Sequence, residues 1–299
     1  MTTSPIERPE GRDITFRRMR FDFEDGFERY WHGGSPFMSF FFSQLSTAFQ
    51  PGEKFFVDSA RALRHTVQDP ALLEELRVFC QQEGHHTAQH LKFDRLNRDM
   101  GVDVDACRRR YARWLGVARR HSALHMLGVT CALEHFTSGF ADLWHRRPDL
   151  SDGADPRVNA LWSWHAAEEA EHRGTCFDIY EAAGGSYPLR VVTLVESWFL
   201  ILAVSIVNTF VLLAQDRKLF TRDTLHGLWR LFGWRGYVLE LVPTFLRYLR
   251  PGFRPWSEPV ALGPAEIRAW QARNERYIVN LGPPASAVGS APASPAPAT

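Results

Sequence analysis

The chain has little cysteine and almost no net charge. Its four cysteines, Cys80, Cys107, Cys131 and Cys176, are spread through 299 residues. None stands in a Cys-x-x-Cys pair, which argues against a zinc knuckle and against a disulfide framework. A reduced, cytoplasmic setting is therefore expected. Basic residues number 35 and acidic residues 34, a formal charge of +1, so no electrostatic case exists for a nucleic-acid partner. Met1 to Arg12 lacks an apolar h-region, and no secretory signal is expected there. Internal repeats are also missing.

What the chain does have is apolar residues, 45% of the total, enough to bury a sizeable core in one large domain or two small ones. Ile14 to Phe23 alternates loosely around Arg17, Arg18 and Arg20 and reads as an extended arm laid on the rest. Gly33-Gly34-Ser35-Pro36 opens an aromatic helix, Phe37 to Phe49; Pro51-Gly52 is expected to interrupt it, with a new segment from Glu53 to His65 and Glu53 in its first turns. Asp69-Pro70 is a strong start signal, and no breaker but Gly84 intervenes before Gly101. A helix of about 30 residues is expected there. Asp103 or Asp105 caps the next segment, whose Arg-rich first half, Cys107 to Arg120, reads as surface and whose second half, Leu124 to Trp144, is mostly apolar. A further helical run extends from Asp155 to Gly184-Gly185.

Glu-x-x-His occurs twice, as Glu83/His86 and Glu169/His172. About one such spacing is expected by chance, so the context decides. Residues three and four apart share a helix face, so His165, Glu169 and His172 project to one point, and Leu72, Leu76, Phe79, Glu83, His86 and His90 form one stripe. Glu134 stands alone in the stripe Leu127, Thr130, Ser138. Polar groups in apolar stripes need partners. A dinuclear site in a four-helix bundle takes one Glu from each of two helices and a Glu-x-x-His pair from each of the others. Glu53, Glu83/His86, Glu134 and Glu169/His172 supply that set in order, with Glu134 and one of the paired Glu expected to bridge and His86 and His172 to cap one ion each. His165 reads equally as a ligand or as a donor to a ligating carboxylate, and His90 as a supporting or substrate-side group. Glu168 and Glu171 point about 100° away and read as surface or salt-bridged. Carboxylate and imidazole ligands without thiolate suit two iron ions, with manganese or zinc as alternatives.

The strings Phe49-Gln50-Pro51-Gly52-Glu53-Lys54-Phe55-Phe56, Gln82-Glu83-x-x-His86-x-x-x-His90, Ala132-Leu133-Glu134-His135-Phe136-Thr137 and Trp164-His165-x-x-Glu168-Glu169-x-Glu171-His172 resemble the bacterial "predicted metal-dependent hydrolase" family of the ferritin-like superfamily. The stretch Tyr248 to Trp256 is similar to that family as well, and the resemblance covers about residues 14–257. Asp94 departs from it, standing where Asn is expected. The resemblance implies an all-α, ferritin-like four-helix bundle with an extra N-terminal arm and hydrophobic C-terminal helices. Locally, His165-x-x-x-Glu169-x-x-His172 resembles the ligand set of di-iron arylamine N-oxygenases, which implies O2 chemistry.

The expected organisation is an arm at 1–34, the metal-binding bundle at 35–185, a hydrophobic and aromatic/basic helical part of the same domain at 186–257, a short helix within 258–282 and a disordered tail at 283–299. Val191 to Leu213 is the most apolar run. A fully buried fifth helix is expected over a membrane-embedded one, because Glu196 and Asn208 count against lipid. The aromatic and basic stretch to Arg250 suits a partner surface or an interfacial helix, so membrane-surface association through 191–250 and a homodimer both stay open. Three functions compete: O2-dependent oxidation or oxygenation of a small organic substrate at a di-iron site, preferred at this point; metal-dependent hydrolysis by a metal-bridging hydroxide; and non-catalytic iron binding or ferroxidase action.

Overall fold

The computed structural model describes residues 13–258 and 261–285. Met1 to Arg12 lies outside them, as does 286–299 of the expected tail. Among the described residues the chain forms ten α-helices and one two-stranded sheet.

Helix α1 (Pro36–Ala62) starts where Ser35 accepts the Met38 N–H and Pro36 takes the first turn. It runs unbroken through Pro51, so the expected interruption does not occur and Glu53 lies deep inside the helix. An internal proline removes one backbone hydrogen bond and costs about 3 kcal/mol. Burial of Thr47, Gly52, Glu53, Phe55 and Phe56 on both sides of it outweighs that.

Asp69 caps α2 (Pro70–Asp99), which has the expected 30 residues. The Arg-rich segment is a separate helix, α3 (Val104–Ala118), packed on α1 and burying Cys107, Tyr111, Trp114 and Leu115, so it is not simply surface. Helix α4 (Ala123–Arg146) follows a Ser122 cap. The expected run to Gly184 is instead two helices, α5 (Pro156–His172) and α6 (Thr175–Ala182). They break at Gly174, where a Cβ would lie 2.2 Å from the Trp256 ring; only glycine admits that indole.

Helices α1, α2, α4 and α5 pack on one another, α1 on α2 and α4, α5 on α4 and α2. Helix α7 (Tyr187–Gln215) lies across α1 and α4, while α8 (Arg222–Phe232) packs on α1 and α9 (Tyr237–Tyr248) on α4. The short C-terminal helix is α10 (Pro264–Arg273). The arm is strand β1 (Thr15–Met19), paired antiparallel with β2 (Ile278–Pro284) in a register that sets Arg17 opposite Leu281. Pro283 and Pro284 thus belong to a strand rather than to a disordered tail.

Helix α7 is not the fully buried helix the sequence suggested. It buries Thr193, Ser197, Ser205, Asn208 and Thr209 and exposes Val192, Val195, Phe199 and Val207. Asn208 accepts from Arg110 Nη1 at 2.9 Å, so its polarity faces the protein.

Candidate metal centre

Four helices bring the Glu-x-x-His pairs and the two lone glutamates to one buried place. Glu53 comes from α1, Glu83 and His86 from α2, Glu134 from α4, and His165, Glu169 and His172 from α5; all seven side chains are buried. Two groups of atoms are close enough to hold an ion each: Glu53 with His86 and His165, and Glu83 with Glu169 and His172, the ligand atoms of each group within 4.8 Å of one another. This pair of clusters fits a dinuclear site.

The carboxylates that reach both clusters are Glu83 and Glu169. Glu83 Oε1 lies 3.3 Å from His172 Nε2 and 3.8 Å from His86 Nδ1. Glu169 lies 3.0 Å from His165 Nε2 through Oε1 and 3.5 Å from His172 Nε2 through Oε2. Glu134, expected to bridge, meets His172 at 3.3 Å on one side of the pair.

Each histidine turns one nitrogen to the cluster and the other to a buried partner, the arrangement that fixes the tautomer of a ligating imidazole. His86 Nε2–H donates to Glu168 Oε2 at 3.0 Å, leaving Nδ1 inward. His172 Nδ1–H donates to Gln82 Oε1 at 3.0 Å. His165 Nδ1–H donates to His90 Nε2 at 2.9 Å, so His90 stands behind His165. His90 in turn donates to Ser46 Oγ at 2.9 Å, the Ser46 hydroxyl donates to Asp94 at 2.7 Å, and Arg108 holds the other Asp94 oxygen at 2.8 Å. Asp94 continues the stripe of Glu83, His86 and His90 by one further turn, and that periodicity was the signal available for it.

Glu168 and Glu171 are buried rather than surface groups, and they are salt-bridged. Arg17 of β1 binds Glu171 through both terminal nitrogens, at 2.8 and 2.5 Å, and reaches Glu168 at 3.4 Å. Gln82 Nε2 donates to Glu171 at 3.2 Å, closing a layer behind His172 and His86. Nothing in the sequence distinguishes Arg17 from Arg18 and Arg20, so its role was not readable from composition. Thr87 and Thr137 donate to Glu53 and Glu169, both at 2.5 Å, and steady those carboxylates.

The electrostatics is that of a cation site. Burial drives Glu53 and Glu83 well above the usual carboxyl range, with the neighbouring glutamates adding to it, and lifts Glu134 to about 8. Burial also pushes Glu169 up, but the charge of His172 beside it outweighs this above all and holds the group well below the range. His172 goes the opposite way, burial lowering it but Glu134 and Glu169 raising it to about 9. Four acids crowded together favour a positive charge among them. The fit of a metal pair rests on the atoms left over: Glu53 Oε1, both oxygens of Glu83 and Glu134, His86 Nδ1 and His172 Nε2 are buried without a hydrogen-bond partner. Every one of them points to the cluster side of a residue whose remaining atoms are engaged, or belongs to a carboxylate facing it. Such groups are costly unless an ion satisfies them.

A family model described as "Predicted metal-dependent hydrolase" matches residues 15–259. The chain belongs to that family. No curated protein and no solved structure matches it. The family description and the two Glu/His clusters agree that this is a protein built to use metal.

One face of the centre is open to a cavity. Glu53, Thr137, His165 and Glu169 form its polar wall, and the rest is apolar, with Phe49, Phe56, Trp114, Phe136 and Trp144 among the lining groups.

Proposed function

We propose that the protein is a metal-dependent hydrolase with a dinuclear centre in a ferritin-like four-helix bundle, the ions held by Glu53, Glu83, His86, Glu134, His165, Glu169 and His172. The support comes from the family match together with the partnerless ligand atoms converging from four helices. Iron, manganese and zinc all suit the donor set. Bound there, such ions supply an acidified water and a Lewis acid for the bond to be split.

The protein's own residues divide the remaining work. Glu83 and Glu169 each lie beside a histidine of both clusters and would serve both ions. Glu168, Gln82 and His90 hold the three imidazoles in their ligating tautomers. The line from His165 through His90, Ser46 and Asp94 offers a path for a proton away from the cluster towards Arg108. Hydrolysis of an ester, amide or phosphate forms a bond from the water oxygen to the acyl carbon or phosphorus, breaks the bond from that atom to the leaving oxygen or nitrogen, and delivers one proton to the leaving group.

A second reading, O2-dependent oxidation, has one observation in its favour. Outside the cluster the cavity offers almost no polar group to hold a charged substrate. The two readings separate on oxygen. Protein loaded with iron, manganese or zinc should split ester, amide or phosphate substrates under strict anaerobiosis, and Glu134→Ala should abolish this. Turnover only with O2 consumption would overturn the hydrolytic reading in favour of the oxidative one.

A further inference from the structure

A second cavity abuts the first. It lies between α1, α4, α7, α8 and α9, and the two share Leu45, Phe136, Phe140 and Ile201 as walls. Its other lining groups include Trp198, Leu202, Phe210, Leu228 and Phe232, and polar side chains are few. Two apolar cavities thus lie in succession between Glu53, His165 and Glu169 and the underside of α7, α8 and α9, with Leu45, Phe136, Phe140 and Ile201 between them.

The outer side of those three helices has an unusual composition. On α7, Val192, Val195 and Phe199 are exposed at helical spacing, Phe199 by 72%. On α8, Leu225, Trp229 and Phe232 are exposed, and on α9 Leu239, Val242 and Leu246; Phe220 and Trp234 at the ends of α8 are 96% and 84% exposed. Among residues 217–250, every exposed side chain is apolar, aromatic or proline, or else is His226 or one of Arg217, Arg222, Arg235 and Arg250. The acids of this region are partly buried and each has a partner: Glu196 on α7 lies 3.2 Å from His125, Asp216 binds Arg29 and Tyr30, Asp223 binds Ser35 and the Phe37 N–H, and Glu240 binds Arg147.

Tryptophan, aliphatic groups and arginine without acid are the chemistry of a helix lying at an anionic membrane interface. Helix α7 is long and apolar enough to cross a membrane. However, its inner face packs on α1, α3 and α4 and carries Thr193 and Asn208, the latter held by Arg110 of α3, and crossing would draw that guanidinium towards lipid, which argues against a span.

We infer that α7, α8 and α9 seat the protein on an anionic bilayer, and that its substrate is a membrane-borne molecule with a long apolar chain, which enters between these helices and runs along the two cavities to the metal centre. The substrate part rests on the reading of the cluster as the reaction centre; the membrane part does not.

The test uses the full chain, loaded with metal. It should co-sediment with vesicles of phosphatidylcholine and phosphatidylserine, less with phosphatidylcholine alone, and less at high salt. The triple variant Phe220→Ser/Trp229→Ser/Trp234→Ser should fold and keep its metal but bind the anionic vesicles at least about tenfold more weakly, since all three exposed aromatics would no longer insert. A spin-labelled fatty acid should bind the wild type, its signal broadened when the site holds a paramagnetic ion, and Leu202→Trp should exclude it without changing metal content. Failure of the wild type to bind vesicles overturns the inference, as does a wild-type dimer that the triple variant dissociates, because a second copy then covers the face. Hydrolysis of short soluble substrates with no fatty-acid binding overturns the inference and leaves the proposed function standing. Vesicle and fatty-acid binding without anaerobic hydrolysis does the reverse.

Discussion

The interior shared by α1, α2, α4 and α5 and the outer face of α7, α8 and α9 both reverse the usual distribution of polarity, in opposite directions. The first buries four acids and three imidazoles. The second exposes tryptophan, phenylalanine and leucine. A buried unsatisfied polar atom and an exposed apolar patch are each unfavourable in water, so each marks where something other than the chain completes the structure. They differ in how the protein prepares for it. Around the metal centre, Glu168, Gln82 and His90 fix the three imidazoles and Thr87 and Thr137 steady Glu53 and Glu169, whereas the outer face is prepared by composition alone and its side chains are held by little. Metal recognition needs geometry; a lipid surface needs area and charge.

The largest expected effect tests the interior half of that contrast. Glu134→Ala and His172→Ala should each drop metal content from about two ions per chain to one or fewer, as read by elemental analysis, because each removes a group facing the cluster. Full occupancy in either would break the ligand assignment. Next comes Arg17→Met, which strands Glu168 and Glu171 in the interior and should destabilise the fold by about 3–5 kcal/mol in chemical denaturation. A loss under about 1 kcal/mol would mean that the strand β1 is not what secures the layer behind His86 and His172.

Much of the centre was readable from sequence because helical spacing is a strong constraint. Two Glu-x-x-His pairs and two lone glutamates in apolar stripes are too costly to bury unless cations gather them, and the expected caps are found at Asp69 and, of the pair Asp103 and Asp105, at Asp103. What was not readable depends on tertiary contact. Pro51 looked like a break because local propensity says so, and packing on both sides overruled it. Glu168 and Glu171 looked peripheral because the strand that covers them comes from more than 150 residues away in sequence, Arg17 being 151 and 154 positions distant. The apolar average of 191–213 gave α7 its hydrophobic character, but an average has no direction. Only the fold reveals that Asn208 and Thr193 face in while Phe199 faces out.

A buried polar group with an ordinary partner offers a control between the two extremes. His135, on the side of α4 away from the cluster, donates from Nε2 to the Thr244 carbonyl at 2.9 Å and packs on Tyr248 and Phe253. Burial, aided by Arg247 and Arg190 against that hydrogen bond, lowers it to about 4. Its folded value lies below the unfolded one, so the unfolded chain takes up the proton first. Stability from this group is complete above about pH 6.5 and declines as pH falls towards 4, by about 2 kcal/mol at pH 5. Denaturation at neutral pH and near pH 5 should show that decline shrinking by this amount in His135→Leu relative to wild type. An unchanged slope would mean that acid sensitivity arises in the metal centre instead.

The smallest effect is the most telling for the outer face. Trp164 and Trp229 are the same residue type, one fully buried against His86 and Phe21, the other 62% exposed on α8. Removing the first, as Trp164→Ala, should cost about 3–5 kcal/mol, as large core aromatics do. Trp229→Ala should change the unfolding free energy in detergent-free buffer by no more than about 0.5 kcal/mol. Core burial would give a tryptophan on α8 a structural duty, and this one has little. If Trp229→Ala proved as damaging as Trp164→Ala, the outer face would be part of the fold's own packing, and the contrast between a prepared interior and an uncommitted exterior would collapse. A negligible change leaves the residue free for whatever lies against α8.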